Sequence, residues 1–212
     1  MISRLDFRGS PHVGIFCVAN DNHAFVPKSS PKHFISKVEE TLGVDVVKTS
    51  IANTGLLGIF CAINNKRAIL TGLAEKDEIK KFKECFSDVV IVDSKFTAIG
   101  NLVAMNDKAT ACSKFVVDAI KDSIGIKVAD SDLVGSALYV NNHGLLAHRD
   151  TTEKTIKDLK TLFGVEGDVG TVNLGDPFVA SGIAGNKKGV VVGAFSSGPE
   201  MNRIDEVFML NR

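Results

Sequence analysis

A chain of 212 residues, 44% of them hydrophobic and with 25 Lys plus Arg against 25 Asp plus Glu, can bury a sizeable core and carries no net charge. That balance excludes a protein drawn onto nucleic acid or an anionic membrane by its overall field, so any RNA contact must be local. The four cysteines, Cys17, Cys61, Cys85 and Cys112, form neither a C-x-x-C pair nor a dense framework, the start MISRLDFRG has no signal-peptide core, and no apolar run approaches the roughly 20 residues that span a bilayer, so the expectation is a cytoplasmic protein with no membrane contact.

Alternating Ile2, Leu5 and Phe7 predict a strand ahead of a first hairpin, VGIFCVANDNHAFVP from Val13. Ser30 as N-cap and Pro31 at N1 then open a helix carrying Phe34, Ile35, Val38 and Leu42, which Gly43 ends, and VDVVKTSI supplies a strand. The same order returns from Leu56 with LLGIFCAINNKRAIL. Two apolar runs flank the turn Asn64, Asn65, Lys66, Arg67, where Asn can take the left-handed conformation of a tight turn. Its helix has the stripe Ile79, Phe82 and Phe86 opposite Lys76, Lys80, Lys81 and Lys83, and DVVIVDS closes the unit. A third hairpin, AIGNLVAMNDKATAC from Ala98, precedes a helix striped by Val116, Ala119, Ile120 and Ile124 and stopped by Gly125. The fourth, LVGSALYVNNHGLLAH from Leu133, leads to a capping box at Asp150 and Glu153, the stripe Ile156, Leu159 and Phe163, and Gly164. The fifth, ASGIAGNKKGVVVG from Ala180, is followed by a box at Ser197 and Glu200 with Pro199 in the first turn, then Ile204, Val207 and Phe208, and VFMLN as a last strand.

Between Gly14, Gly58, Gly100, Gly135 and Gly182 the steps are 44, 42, 35 and 47 residues, which is a repeat. One unit alone, with three strands and one helix stripe, is too small to be stable. The fold class expected is therefore α/β: five ββαβ repeats, over 9–52, 53–95, 96–131, 132–175 and 176–212, in a single five-bladed α/β propeller domain with pseudo-fivefold symmetry. The N-terminal strand would pair beside the C-terminal unit and remove the free edges. An open solenoid is the competing architecture, but it needs polar capping repeats that neither terminus resembles.

Such an assembly resembles the pentein fold, which hosts amidine-processing enzymes with a Cys nucleophile, a His and acidic residues. Cys17 and Cys61 each fall three residues after a repeat glycine, as a repeated core position would. Cys112 precedes the third predicted helix, whose dipole would lower a thiol pKa, and Cys85 adjoins an apolar stripe. His143 and His148 lack zinc-ligand spacing, and GTVNLGD from Gly170 has Asp176 where a phosphate loop needs Lys. Asp130 and Asp132 fit solvated turns. No catalytic set assembles; the amidine-processing alternative requires a Cys and a His facing each other in the central channel.

Laid out by repeats, SIANTGLLGIFCAINNKRAIL, FTAIGNLVAMND, DLVGSALYVNNHGLLAH and GTVNLGDPFVASGIAGN, with the ending VFMLN, resemble the translation initiation factor 6 family of archaeal and eukaryotic ribosome anti-association factors, in order over nearly the whole chain. The chain stops soon after these segments and lacks the eukaryotic tail, so the resemblance is to the archaeal type. It implies a non-catalytic pentein-type protein, a monomer with no metal, cofactor or small-molecule substrate. The factor would bind the large ribosomal subunit at an L14-type ribosomal protein near the sarcin-ricin loop and so prevent association with the small subunit. Ribosome-binding residues implied are Asn53, Ile59, Gly100 and Asn101, with Ile59 standing where some relatives are basic. Asn101 also departs from the chain's own repeat, whose matching places are read as Ile15, Ile59, Ser136 and Ile183.

Overall fold

Five separate three-stranded sheets, and no closed sheet, organise the computed structural model, which describes residues 1–208. In chain order the strands are β1 (Ile2–Leu5), β2 (Val18–Ala19), β3 (His23–Pro27), β4 (Asp45–Thr49), β5 (Cys61–Ile63), β6 (Arg67–Thr71), β7 (Asp88–Val92), β8 (Val103–Met105), β9 (Thr110–Cys112), β10 (Ser123–Gly125), β11 (Leu138–Val140), β12 (Leu145–His148), β13 (Gly167–Gly170), β14 (Ile183–Gly185) and β15 (Val190–Gly193). Sheets form as β2-β3-β4, β5-β6-β7, β8-β9-β10, β11-β12-β13 and β14-β15-β1. In each, the first pair is antiparallel and the outer strand runs parallel to the middle one. The parallel step requires a crossover, which is why a helix follows the middle strand. As expected, the N-terminal β1 pairs with β15 and completes the last sheet.

Three helices make those crossovers, α1 (Lys32–Leu42), α2 (Lys76–Cys85) and α3 (Glu153–Phe163), and a fourth, α4 (Gly198–Phe208), follows β15 in the same place although β1 supplies that sheet's outer strand. Their predicted apolar faces are the buried ones, and Gly43 and Gly164 end α1 and α3 in the left-handed conformation. Their starts differ in two cases. Pro31 is the N-cap of α1, with no side-chain bond, and Thr152 rather than Asp150 caps α3 by accepting from the Thr155 N–H. Ser197 and Glu200 do form the predicted box.

The third unit has no crossover α-helix. Only ten residues separate Cys112 from Ser123, too few for a helix and its turns, so a single 3-10 turn (Val117–Ala119) plugs the gap with Val116 and Ile120 buried. Gly125 ends β10 and stops no helix, and Ile124 is exposed. Val207 and Phe208 of the predicted last strand lie in α4, and the rest of VFMLN falls outside the described residues.

A larger correction concerns the hairpins. The first half of each predicted first strand is one helical turn: Val13–Phe16, Leu57–Phe60, Ile99–Leu102, Val134–Ala137 and, as a 3-10 turn, Val179–Gly182. Aligning the turns gives Ala180, not Gly182, the place of Gly14, Gly58, Gly100 and Gly135. Coiling brings these backbones together: a methyl group on Gly58 would lie 1.9 Å from the Gly14 carbonyl oxygen, one on Gly100 2.0 Å from that of Gly58, and one on Gly14 2.0 Å from that of Ala180. Each turn touches the next, and the fifth touches the first.

The apolar core lies between units. Phe25 of β3 stacks on Phe82 of α2 with centroids 4.8 Å apart, and Leu5 and Phe7 pack with Phe34 and Val191 across the junction of the first and last units. Five such clusters are each shared by neighbouring units. Since backbone blocks the space beside Gly58, Gly58→Ala should cost about 2–3 kcal/mol in denaturant unfolding. Gly125→Ala, whose methyl would meet only the Val117 side chain at 3.6 Å, should change stability by less than about 0.5 kcal/mol.

Candidate interaction face

Strand direction gives the two ends of the molecule different chemistry. Every first strand runs from a helical turn to an Asn-centred tip, and every middle strand runs back. The helical turns, the helix starts and the loops entering each unit therefore share one end, and the tips the other.

At the tips, Asn20, Asn64, Asn106, Asn141 and Asn186 each accept two backbone N–H groups from their own turn through Oδ1. Their amides then reach sideways. Asn20 Nδ2 donates to the Asn64 carbonyl (2.8 Å), Asn64 to Asn106 (2.9 Å), Asn106 to Asn141 (3.3 Å) and Asn186 to Asn20 (3.2 Å). Asn141 Nδ2 has no such partner. That gap falls where Ala180 replaces glycine, and there the Tyr139 hydroxyl donates to the Gly185 carbonyl instead. A second tier links Asp21, Asn65, Asp107 and Asn142. Burial alone would raise the Asp21 carboxyl, but the Asn65 amide and the Lys187 N–H hold it below its ordinary range.

At the opposite end opens a mouth of about 250 Å³ lined by residues of all five helical turns or their approaches, chiefly Ile15, Ile59, Asn101, Ser136, Phe178 and Ser181. Its floor, Gly58, Gly135 and Ala180, is shared with a central cavity of about 90 Å³. Exposed Leu73, Phe115, Leu133, Leu174 and Phe195 belong to the same end of the molecule. Of the sequence-predicted residues, Ile59 and Asn101 line the mouth, with Gly100 buried beside them in the third turn. The place matching Asn101 in the fifth unit is Ser181; Ile183 lies in β14, opposite Cys17 and Cys61.

Asn53 is at this end but outside the mouth. It occupies a tight turn with φ 57°, and its N–H and that of Ala52 donate to Glu78 of α2 at 3.1 and 2.9 Å. Glu200 of α4 serves the corresponding loop before the fifth unit through Leu174 and Gly175. The N–H groups that a phosphate loop at GTVNLGD would offer are thus already taken by a carboxylate. Sequence patterning placed Glu200 only in its capping box and missed both loop contacts, because the partners lie about 25 residues away.

The thiols are set for packing. Cys17 and Cys61 line the central cavity, whose lining includes no histidine among the described residues. Burial pushes the Cys17 thiol up to about 12 and raises Cys61 as well. Cys112 does not sit at a helix start; it is buried in β9 and its pKa is raised by burial, with the Ser123 hydroxyl 3.3 Å away a smaller opposing influence. His12 reaches Ser181 Oγ at 3.2 Å and lies 3.7 Å from Asp176.

Five like units joined through their backbones, with an apolar mouth at one end and a polar lattice at the other, define a repeat-built α/β protein whose distinctive chemistry lies on its end surfaces. The chain belongs to the eIF-6 family, whose sequence profile matches residues 2–207. It is 35% identical to translation initiation factor 6 of Saccharolobus islandicus and 36% identical to that of Pyrococcus horikoshii, each over 97% of both chains. A third relative of that name, from Methanosphaerula palustris, is 31% identical over 98% of both.

Burial would raise the Glu78 carboxyl, but donors from Glu75, Ser50, Asn53 and Ala52 lower it below its ordinary 4.5. A depressed carboxylate stabilises the fold above its unfolded pKa and ceases to do so as pH falls through the folded value. Thermal unfolding should therefore show stability falling from pH 5 downward, and Glu78→Gln should flatten that dependence and cost about 1–3 kcal/mol at pH 7.

Proposed function

We propose that this chain is a translation initiation factor that binds the large ribosomal subunit and keeps the small subunit from joining. The observation that carries the proposal is the family match along nearly the full length, together with relatives named translation initiation factor 6. The mechanism is steric: a rigid body covers a docking surface and performs no reaction. On this proposal the five repeats form one closed five-bladed propeller domain of pentein type, which acts as a monomer in the cytoplasm. Contacts running from turn to turn and from the fifth back to the first favour closure over an open solenoid.

The mouth end is the face offered to the ribosome. Its exposed apolar side chains suit a protein partner, an L14-type ribosomal protein beside the sarcin-ricin loop, better than a phosphate backbone, which calls for many Lys and Arg. Asn53, Ile59, Gly100 and Asn101 share that end. Asn101 and Ile59 would touch the partner; Gly100 acts by letting the third turn seat against the second, and Asn53 through the loop that Glu78 holds.

Sedimentation of ribosomal subunits with saturating protein should leave large and small subunits apart, with the protein travelling in the large-subunit fraction; unchanged subunit joining would sink the proposal. Asn101→Arg should weaken that co-sedimentation at least tenfold while melting at the wild-type temperature, since the side chain is partly exposed and makes no hydrogen bond among the described residues. Equal binding by this variant would mean the contact face lies elsewhere.

A further inference from the structure

Building on the ribosome-binding proposal, the geometry points to a specific occupant of the mouth: one large apolar side chain of the protein partner, delivered by an uncharged stretch of main chain. The volume, about 250 Å³, is below that of pockets for drug-sized ligands and suits a single side chain with a short piece of backbone. Among the described residues, no Lys, Arg, Asp or Glu lines it. The third residues of the five turns divide it into halves, with Ile15 and Ile59 forming an apolar wall and Asn101, Ser136 and Ser181 a polar one. Ser181 is committed, since its hydroxyl donates to Asp176 and meets His12. The carboxamide of Asn101 and the hydroxyl of Ser136 make no hydrogen bond within the described protein.

Two uncommitted polar side chains facing an apolar wall match a peptide segment whose side chain lies on Ile15 and Ile59 and whose main-chain amide is bound by Asn101 and Ser136. Leu133 and Phe178 complete the apolar side of the socket. A well-packed pocket that takes an anchor and excludes water is the arrangement that concentrates binding energy at protein interfaces. An inserted RNA base is the contrasting occupant. It would bring phosphates, for which the mouth provides no cation.

The test uses full-length protein and purified large subunits, pelleted together at 100 and 300 mM salt. Ser136→Phe fills the socket from the polar side, Ile15→Ala removes half of the apolar wall, and Lys66→Ala at the opposite end serves as control. Binding should fall about tenfold or more for Ser136→Phe and about three- to tenfold for Ile15→Ala, stay within about twofold for Lys66→Ala, and depend weakly on salt. Should Ser136→Phe melt early, Ile15→Ala decides. Wild-type affinity in both mouth variants would overturn the inference while leaving ribosome binding standing. A steep salt dependence would assign the mouth to RNA and overturn it too. Failure of the wild-type protein to pellet with subunits would remove the ribosome-binding proposal and this inference with it.

Discussion

The approach of one helical turn to the next at a glycine is the constraint on which the rest of this structure depends. Gly58, Gly100 and Gly135 each leave no room for a methyl group against the carbonyl of the preceding turn. A single hydrogen bond or salt bridge would tolerate a shift of some tenths of an ångström, but backbone pressed on backbone does not, so it sets the angle and spacing of neighbouring units. The apolar clusters between units then have a fixed shape to fill, and the asparagine amides at the far end have a carbonyl within reach. The exception supports this. Where Ala180 stands in place of glycine, the amide of Asn141 is left without a partner among the described residues and a tyrosine hydroxyl bridges the junction.

From this spacing the division of labour between the two ends follows. The tips are saturated: each asparagine uses its oxygen on its own turn, and four use their amide on a neighbour, which leaves little free for a partner. At the other end the turns splay around an opening and expose apolar side chains together with Asn101 and Ser136, groups the fold itself does not use. Cys17, Cys61 and Cys112 belong to the interior; buried and with their thiol pKa values raised by burial, they serve as small apolar fillers. Family membership and surface chemistry are thus both in keeping with the proposed binding role.

Much of this was legible in the sequence, for identifiable reasons. Asparagine tips and turn glycines recur because geometry dictates them in every unit, and the long helices are striped because each has one face on a core. The N-terminal strand could be assigned to the last unit because it lies ahead of the first hairpin, where each later repeat receives the last strand of the unit before. Other features were hidden by competing signals. The apolar runs VGIF and LGIF have the composition of strands, and only packing against the neighbouring turn coils them. In the fifth unit a chance glycine two residues on, Gly182, drew the register away from Ala180 and made Ile183 rather than Ser181 the counterpart of Asn101. The stripe from Val116 to Ile124 has helical spacing in a connection too short to hold a helix. The loop staples of Glu78 and Glu200 are long-range contacts with no local pattern, so the ordered turn at Asn53 could not be foreseen.

Closure of the five units into one body is the claim that separates this account most sharply from an open array. Native-state hydrogen exchange of the backbone amides in the five middle strands, β3, β6, β9, β12 and β15, tests it most directly. Units locked to neighbours on both sides should open together, with one common and highest opening free energy. Protection graded from a stable centre to frayed first and fifth units, as in a linear array, would contradict it.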